Sequence, residues 1–295
     1  MSSAIAIHPL TPDVPAIWRL PPVHTRFRLG PTITAEQESF LDSYGFLIFE
    51  KVASPEELGA ILEEADRLEA EWVREARRSV RGIPLYLGVG PRGGPMIQRL
   101  PFTSMYSRTI HRFVREPRFE PVRALIGAGA RIGDEEKDGV VLNRYLNVPG
   151  SAYPRLGWHT DGLRDLFYLR MPKRMLNVGL HFDRSTKDNG GLRVIPGSHR
   201  QGFFGMCFHK PYFVSHAPDP FEVAIETEPG DLTVHDGRMW HRVAPSPSYG
   251  LASLRRTMFV PYLTDAYAPK DERAQTPIYH HLGQFMRRRW LKRWL

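Results

Sequence analysis

One cysteine, Cys207, is all that 295 residues contain. A single thiol cannot cross-link a fold, and this scarcity points to a reducing, cytoplasmic setting. With Gly205, Met206 and Phe208 around it, Cys207 has no local base and reads as a packing residue, not a nucleophile. Long apolar runs are also missing, since none reaches the ~18 residues that a membrane span needs. The opening stretch, MSSAIAIHPLTPDVP, has neither a basic segment nor a sustained apolar one, so it does not read as a signal peptide. No internal repeat and no linker divides the chain.

Charge is present in excess of one sign. Lys and Arg number 40 against 32 Asp and Glu, a net charge of +8, which suits an anionic partner in general. The densest basic run, Arg287-Arg288-Arg289 with Lys292 and Arg293, alternates with Trp290, Trp294 and Leu295. It reads as a solvated terminal helix with apolar anchors, so no nucleic-acid partner is expected. Prolines at 9, 12, 15, 21 and 22 make residues 1–30 an extended arm, followed by one domain over 31–295 that ends in the basic tail.

Local signals then fix the first elements. Thr34 with Gln37 predicts a capped helix burying Phe40, Leu41 and Tyr44 and stopping at Gly45. Phe46–Phe49 follows as a strand. Ser54, Pro55 and Glu57 begin a longer helix whose Leu58, Ile61, Leu62, Ala65, Leu68 and Trp72 form one stripe. Residues 82–94 are rich in Gly and Pro and are expected to loop; their GVGPRGG lacks the Lys-Ser/Thr ending of a phosphate cradle. Residues 103–127 read as partly helical. Beyond Val140 short β-rich runs alternate with turns, at 140–146, 175–182, 192–195, 221–227, 231–235 and 257–263. Helices first and many strands later predict a mainly β fold with flanking helices (α+β), a sandwich or barrel.

The chemistry lies in this second half. In Trp158-His159-Thr160-Asp161-Gly162, an extended backbone points His159 and Asp161 to one side, and Gly162 permits an immediate turn. A third ligand from a later strand would complete a 2-His-1-carboxylate face, which leaves adjacent positions for an oxo-acid and O₂ on iron(II). His235 and His241 compete for that place. His241 follows the Asp236-Gly237 turn and is preferred, while His235, on a buried strand, is expected to be a hydrogen-bonded core histidine. Arg255 and Arg256 alternate faces downstream, so one of them can turn inward to grip a carboxylate.

These residues carry a resemblance. From about residue 34 to 265 the sequence resembles the phytanoyl-CoA dioxygenase (PhyH-like) superfamily of iron(II)/2-oxoglutarate-dependent oxygenases. Tyr44–Ile48 and Ser54–Leu58 look like its opening, Asn189-Gly190-Gly191-Leu192…Pro196-Gly197-Ser198-His199 is similar to its N-G-x-L-x-x-x-P-G-S-H signature, and Pro229-Gly230-Asp231-Leu232 precedes its distal histidine. The resemblance implies a double-stranded β-helix (jelly roll, cupin-like) with iron on His159, Asp161 and His241. It implies Arg255 as the 2-oxoglutarate anchor, with Arg256 the alternative because the interval from His241 is longer than in many members. Gln98 and Asn143 fall where members place polar groups near the cosubstrate, and His199 is structural. Val243 stands where a small or hydroxyl residue is frequent.

The resemblance further implies O₂ as co-reactant, ascorbate as an optional stimulant, and hydroxylation of a small molecule or natural product with release of succinate and CO₂. Asp161 argues against halogenation, in which a small residue replaces the carboxylate. Desaturation, cyclisation and epimerisation use the same iron site and stay open, as do a silent jelly-roll binding protein and a zinc protein. Arg99, Arg164, Tyr168 and Arg170 are candidates to meet an anionic or polar substrate.

Overall fold

The computed structural model describes residues 20–277; the basic tail and the first nineteen residues of the arm lie outside them. Thr34 and Gln37 exchange both bonds of a capping box at the head of α1 (Ala35–Tyr44), and Gly45 ends the helix at φ +87°, a left-handed conformation that glycine adopts without strain. Strand β1 (Phe46–Phe49) follows. A second capping box, Ser54 with Glu57, starts α2 (Pro55–Arg74), which buries Leu58, Ile61, Ala65, Leu68 and Trp72 and half-buries Leu62. The described part of the arm is tied down: Phe27 bridges Phe49, and its ring meets that of Phe40 at 5.2 Å.

The stretch expected to loop between 82 and 94 is more ordered than that. It contributes to two hairpins, β2 (Ser79–Val80) with β3 (Ile83–Pro84) and β4 (Leu87–Val89) with β5 (Pro95–Ile97). Gly90 and Gly94 close the second hairpin through an N–H···O bond of 2.7 Å, so the glycine-rich run serves as a turn. Next come β6 (Arg99–Leu100), the short helices α3 (Thr103–Tyr106), α4 (Arg108–Phe113) and α5 (Glu120–Ala124), and β7 (Arg131–Ile132).

The remaining strands build the sandwich. They are β8 (Val141–Tyr145), β9 (Leu156–His159), β10 (Leu176–His181), β11 (Gly191–Val194), β12 (Val223–Ala224), β13 (Leu232–Asp236), β14 (His241–Ala244) and β15 (Arg255–Leu263). Helix α6 (Leu163–Phe167) follows β9, and α7 (Phe203–Phe208) follows β11. A seven-stranded sheet runs β1-β13-β10-β15-β8-β6, with β7 also on β15; a four-stranded sheet runs β12-β11-β14-β9. Every pairing in both sheets is antiparallel. Consecutive pairing partners are mostly distant in sequence, and the two-sheet arrangement is a jelly roll with helices outside. The main core lies between α2 and the large sheet, where Trp72, Phe40, Leu142, Val178, Val234 and Met258 are buried.

The strand expected over 221–227 shrinks to Val223–Ala224. Pro218 and Pro220 precede it, and side chains replace the ladder: Asp219 N–H donates to Glu222, and Arg242 grips the Glu222 carboxylate at 2.6 and 2.8 Å. Among the described residues no helix is long and apolar enough to cross a membrane.

Candidate active site

His159 ends β9 and His241 begins β14, and the two are opposite one another across the ladder. Both are buried. Each ring is oriented by the carbonyl two residues before it: His159 Nδ1 lies 2.8 Å from Gly157 O, and His241 Nδ1 lies 3.0 Å from Met239 O. A carbonyl can only accept, so Nδ1 carries the proton and Nε2 is left with its lone pair. Asp161 follows two residues after His159, and its N–H donates to Gly237 O at 2.7 Å, which ties the turn after β9 to the turn before β14. One ligand atom from each of His159, Asp161 and His241 lies within 4.8 Å of the others.

Protonation states match that geometry. Burial pushes the His159 imidazole down, with Asp161 opposing, and pushes His241 well down, with His159 adding to the effect. Burial alone would favour a neutral Asp161, but His241, His235 and His159 outweigh it and hold the carboxyl well below the usual range. Two neutral imidazoles and one carboxylate are the states that ligate a divalent metal, and the set fits iron(II).

His235 is not the hydrogen-bonded core histidine expected. It is 1% exposed, but among the described residues neither ring nitrogen has a hydrogen-bond partner. Its Nε2 lies 3.5 Å from Asp161 Oδ2, too long for a well-formed bond, and its ring centroid is 4.7 Å from that of His241. The reason is register: His235 pairs with Asn177 on β10, and Asn177 Nδ2 donates to the same Oδ2 at 3.2 Å. Asp161 Oδ1 is the oxygen nearer His241, at 3.8 Å from its Nε2.

Of the two arginines, Arg255 is buried, and its neighbour Arg256 turns to Asp183 with a contact of 2.6 Å. Arg255 Nη1 donates to Ala244 O at 3.0 Å, the guanidinium lies 5.9 Å from the Tyr145 ring centroid, and Nε has no hydrogen-bond partner among the described residues. Burial lowers its pKa to about 10, so it remains a cation at neutral pH. Gly190, at φ +97°, leaves the space for it, because a Cβ there would collide with Arg255 Nη1. Val243 is buried against Tyr145 and Tyr153 and offers no hydroxyl.

Asn143 is buried on β8 and accepts from Arg99 Nη1 at 3.0 Å. Gln98 is fully buried and differs from the expectation of a cosubstrate group. Its Oε1 accepts from the N–H groups of Ala152 and Tyr153, at 2.5 and 3.1 Å, and its Nε2 donates to Arg144 O and Ser151 Oγ. The amide is spent on pinning the 151–153 turn, because that turn has no ladder to satisfy it. His199 is structural, with Nε2 3.2 Å from Asp42 O beneath Gly45.

Arg99 pairs with Asp138 at 2.5 Å, and Arg164 stacks on the Tyr267 ring at 4.8 Å; Tyr168 and Arg170 are exposed. Lys137, unremarkable in sequence, donates to Asp161 O at 2.9 Å from a left-handed backbone (φ +55°). No pattern in the sequence marks Lys137 or Asn177, since each reaches the site from a segment remote from the H-x-D, and His235 stands out there only as a rival to His241.

Residues 106–249 match the family described as phytanoyl-CoA dioxygenase (PhyH), a span that includes the three ligand candidates and ends before Arg255. An ectoine dioxygenase of Bordetella parapertussis (strain 12822) is 24% identical over 229 residues, covering 74% of this chain and 69% of that protein. EvdO2 from Micromonospora carbonacea var. aurantiaca, solved in complex with 2-oxoglutarate, shares the fold at a TM-score of 0.55 and 21% identity, covering 84% of this chain and 99% of the other. The epimerase SnoN, solved with Fe3+, alpha ketoglutarate and nogalamycin RO, gives a TM-score of 0.54 at 17% identity, covering 80% and 85%.

Proposed function

We propose that this chain, whose residues 106–249 match the phytanoyl-CoA dioxygenase (PhyH) family, is an iron- and 2-oxoglutarate-dependent dioxygenase that hydroxylates a small molecule at the site built by His159, Asp161 and His241. The observation that carries this reading is the pair of Nδ1···O=C contacts, which leave two Nε2 lone pairs beside an ionised carboxylate. Iron(II) bound there, with 2-oxoglutarate, supplies O₂ activation and C–H oxidation, with succinate and CO₂ released.

The chain's own residues have distinct tasks. Gly157 O and Met239 O fix the imidazole tautomers, and Asn177 holds the outer oxygen of Asp161 so that the other oxygen is offered inward. Arg255 pairs with the far carboxylate of 2-oxoglutarate; its buried cation and unpartnered Nε support this assignment over Arg256, which Asp183 already engages. Asn143 holds Arg99 beside the site rather than contacting the cosubstrate itself.

Purified protein given iron(II), 2-oxoglutarate and O₂ is expected to form succinate, and a metabolite extract should contain a product heavier by one oxygen. A product of unchanged mass would shift the reading to epimerisation. No succinate under any substrate panel would refute it.

A further inference from the structure

Near Asp161 four cations gather from four segments. Lys137 comes from the loop after β7, Arg99 from β6, Arg164 from α6, and Lys270 from the segment after β15. Tyr267 stitches them together: its ring lies 5.2 Å from Lys137 Nζ and 4.8 Å from the Arg164 guanidinium, and its hydroxyl donates to Asp165 at 3.1 Å. The acids that face the group are Asp138, paired with Arg99, and Asp161 and Asp165 beside Lys137. The neighbouring Glu135 and Glu136 are turned toward Arg81 and Arg131, and Asp265 toward Lys173. Four cations thus meet three carboxylates, one of which, Asp161, is already a metal-ligand candidate.

The positive side of this balance is left unsatisfied at one atom. Lys270 Nζ is buried and has no hydrogen-bond partner among the described residues, so three donors go unused. Lys137 commits two of its donors, to Asp161 O and Met175 Sδ, and retains one. A buried ammonium without a partner opposes folding and is expected only where something else supplies the counter-charge. The region is reachable: the Arg99 and Asp161 side chains each keep 18% of their surface exposed although they sit deep in the protein. Burial lowers the pKa of Lys270, with Arg164, Arg99 and Lys137 adding to the effect against Asp138, the mutual repulsion of a cluster short of anions.

We infer that this cluster binds an anionic group of the substrate, a carboxylate or a phosphate, and holds the carbon to be oxidised over the metal site. The inference rests on the oxygenase reading. It separates two anion sites: Arg255, with Tyr145, Arg193 and Asp183 around it, serves the cosubstrate, and the Lys137–Lys270 cluster serves the substrate.

The test uses the full chain, loaded anaerobically with iron(II) and saturating 2-oxoglutarate, and measures binding of inorganic phosphate and of benzoate by calorimetry. At least one probe is expected to bind on top of 2-oxoglutarate, and the better of the two identifies the head group. Lys270→Met and Arg164→Gln should each weaken that probe by about tenfold or more. Melting temperature without the probe checks folding, and Arg164→Gln, on the rim, covers the case in which Lys270→Met does not fold. If 2-oxoglutarate binds but neither probe does, or both variants bind the probe as the parent does, the inference is overturned and the oxygenase reading stands. If 2-oxoglutarate itself does not bind, both fall.

Discussion

Asn177 and His235 face each other across neighbouring strands and converge on one atom, Oδ2 of Asp161, at 3.2 and 3.5 Å. Groups behind a ligand typically contribute 10–100-fold to metal affinity. Asn177→Leu is therefore expected to weaken iron(II) binding by about tenfold or more, with the fold retained. His235→Phe keeps the ring volume and removes the imidazole, and should have a smaller effect in the same direction. A competition titration against a metal-binding dye measures both. Unchanged affinity in Asn177→Leu would mean that the carboxylate needs no support from behind.

His159→Ala and His241→Ala each remove one of three ligands and should leave protein that folds but retains no iron after desalting. Metal analysis of the purified variants decides this. Normal iron content in either one removes that residue from the ligand set.

Arg255→Leu should raise the KM for 2-oxoglutarate by about 100-fold, the equivalent of about 3 kcal/mol for a lost charge-assisted pair. Arg256→Leu breaks the half-buried contact with Asp183 and should lower stability slightly while leaving that KM within about twofold. The reverse pattern would exchange the roles of the two arginines.

Acid should destabilise the protein partly through His181. This residue is buried on β10, and its Nε2 lies 3.0 Å from Thr233 Oγ1. Burial lowers its pKa to about 4, with His235 and Arg26 adding to the effect against Asp231. The unfolded chain binds this proton first, so the stability that neutral His181 contributes is complete above about pH 6.5 and is lost as pH falls toward 4. The loss is on the order of 3 kcal/mol. Urea midpoints at pH 7 and pH 5 should converge more slowly to a low value in His181→Gln than in the parent, and equal slopes would refute the assignment.

Much of this was legible in the sequence because it depends on neighbours in the chain. Capping boxes at Thr34 and Ser54 need only residues three apart, and His159 with Asp161 needs only the two-residue repeat of extended backbone. What escaped depends on register. Asn177 meets Asp161 because β10 pairs with β13 in one alignment, and a shift by one residue would turn it away. Gln98 was misread because its type suits a ligand pocket equally well as a loop without a ladder, and the 151–153 turn claims it. Lys270 becomes notable only because its buried ammonium has no hydrogen-bond partner among the described residues, which no local pattern encodes.

The three ligand candidates sit on or beside β9 and β14 of the smaller sheet, whereas Arg255 belongs to β15 of the larger one, and its bond to Ala244 O crosses between them. A cosubstrate held at one end by the metal and at the other by Arg255 therefore acts as a rivet through both leaves of the sandwich. Loading should slow amide exchange in β14 and β15 together, and the empty protein should breathe along that seam first.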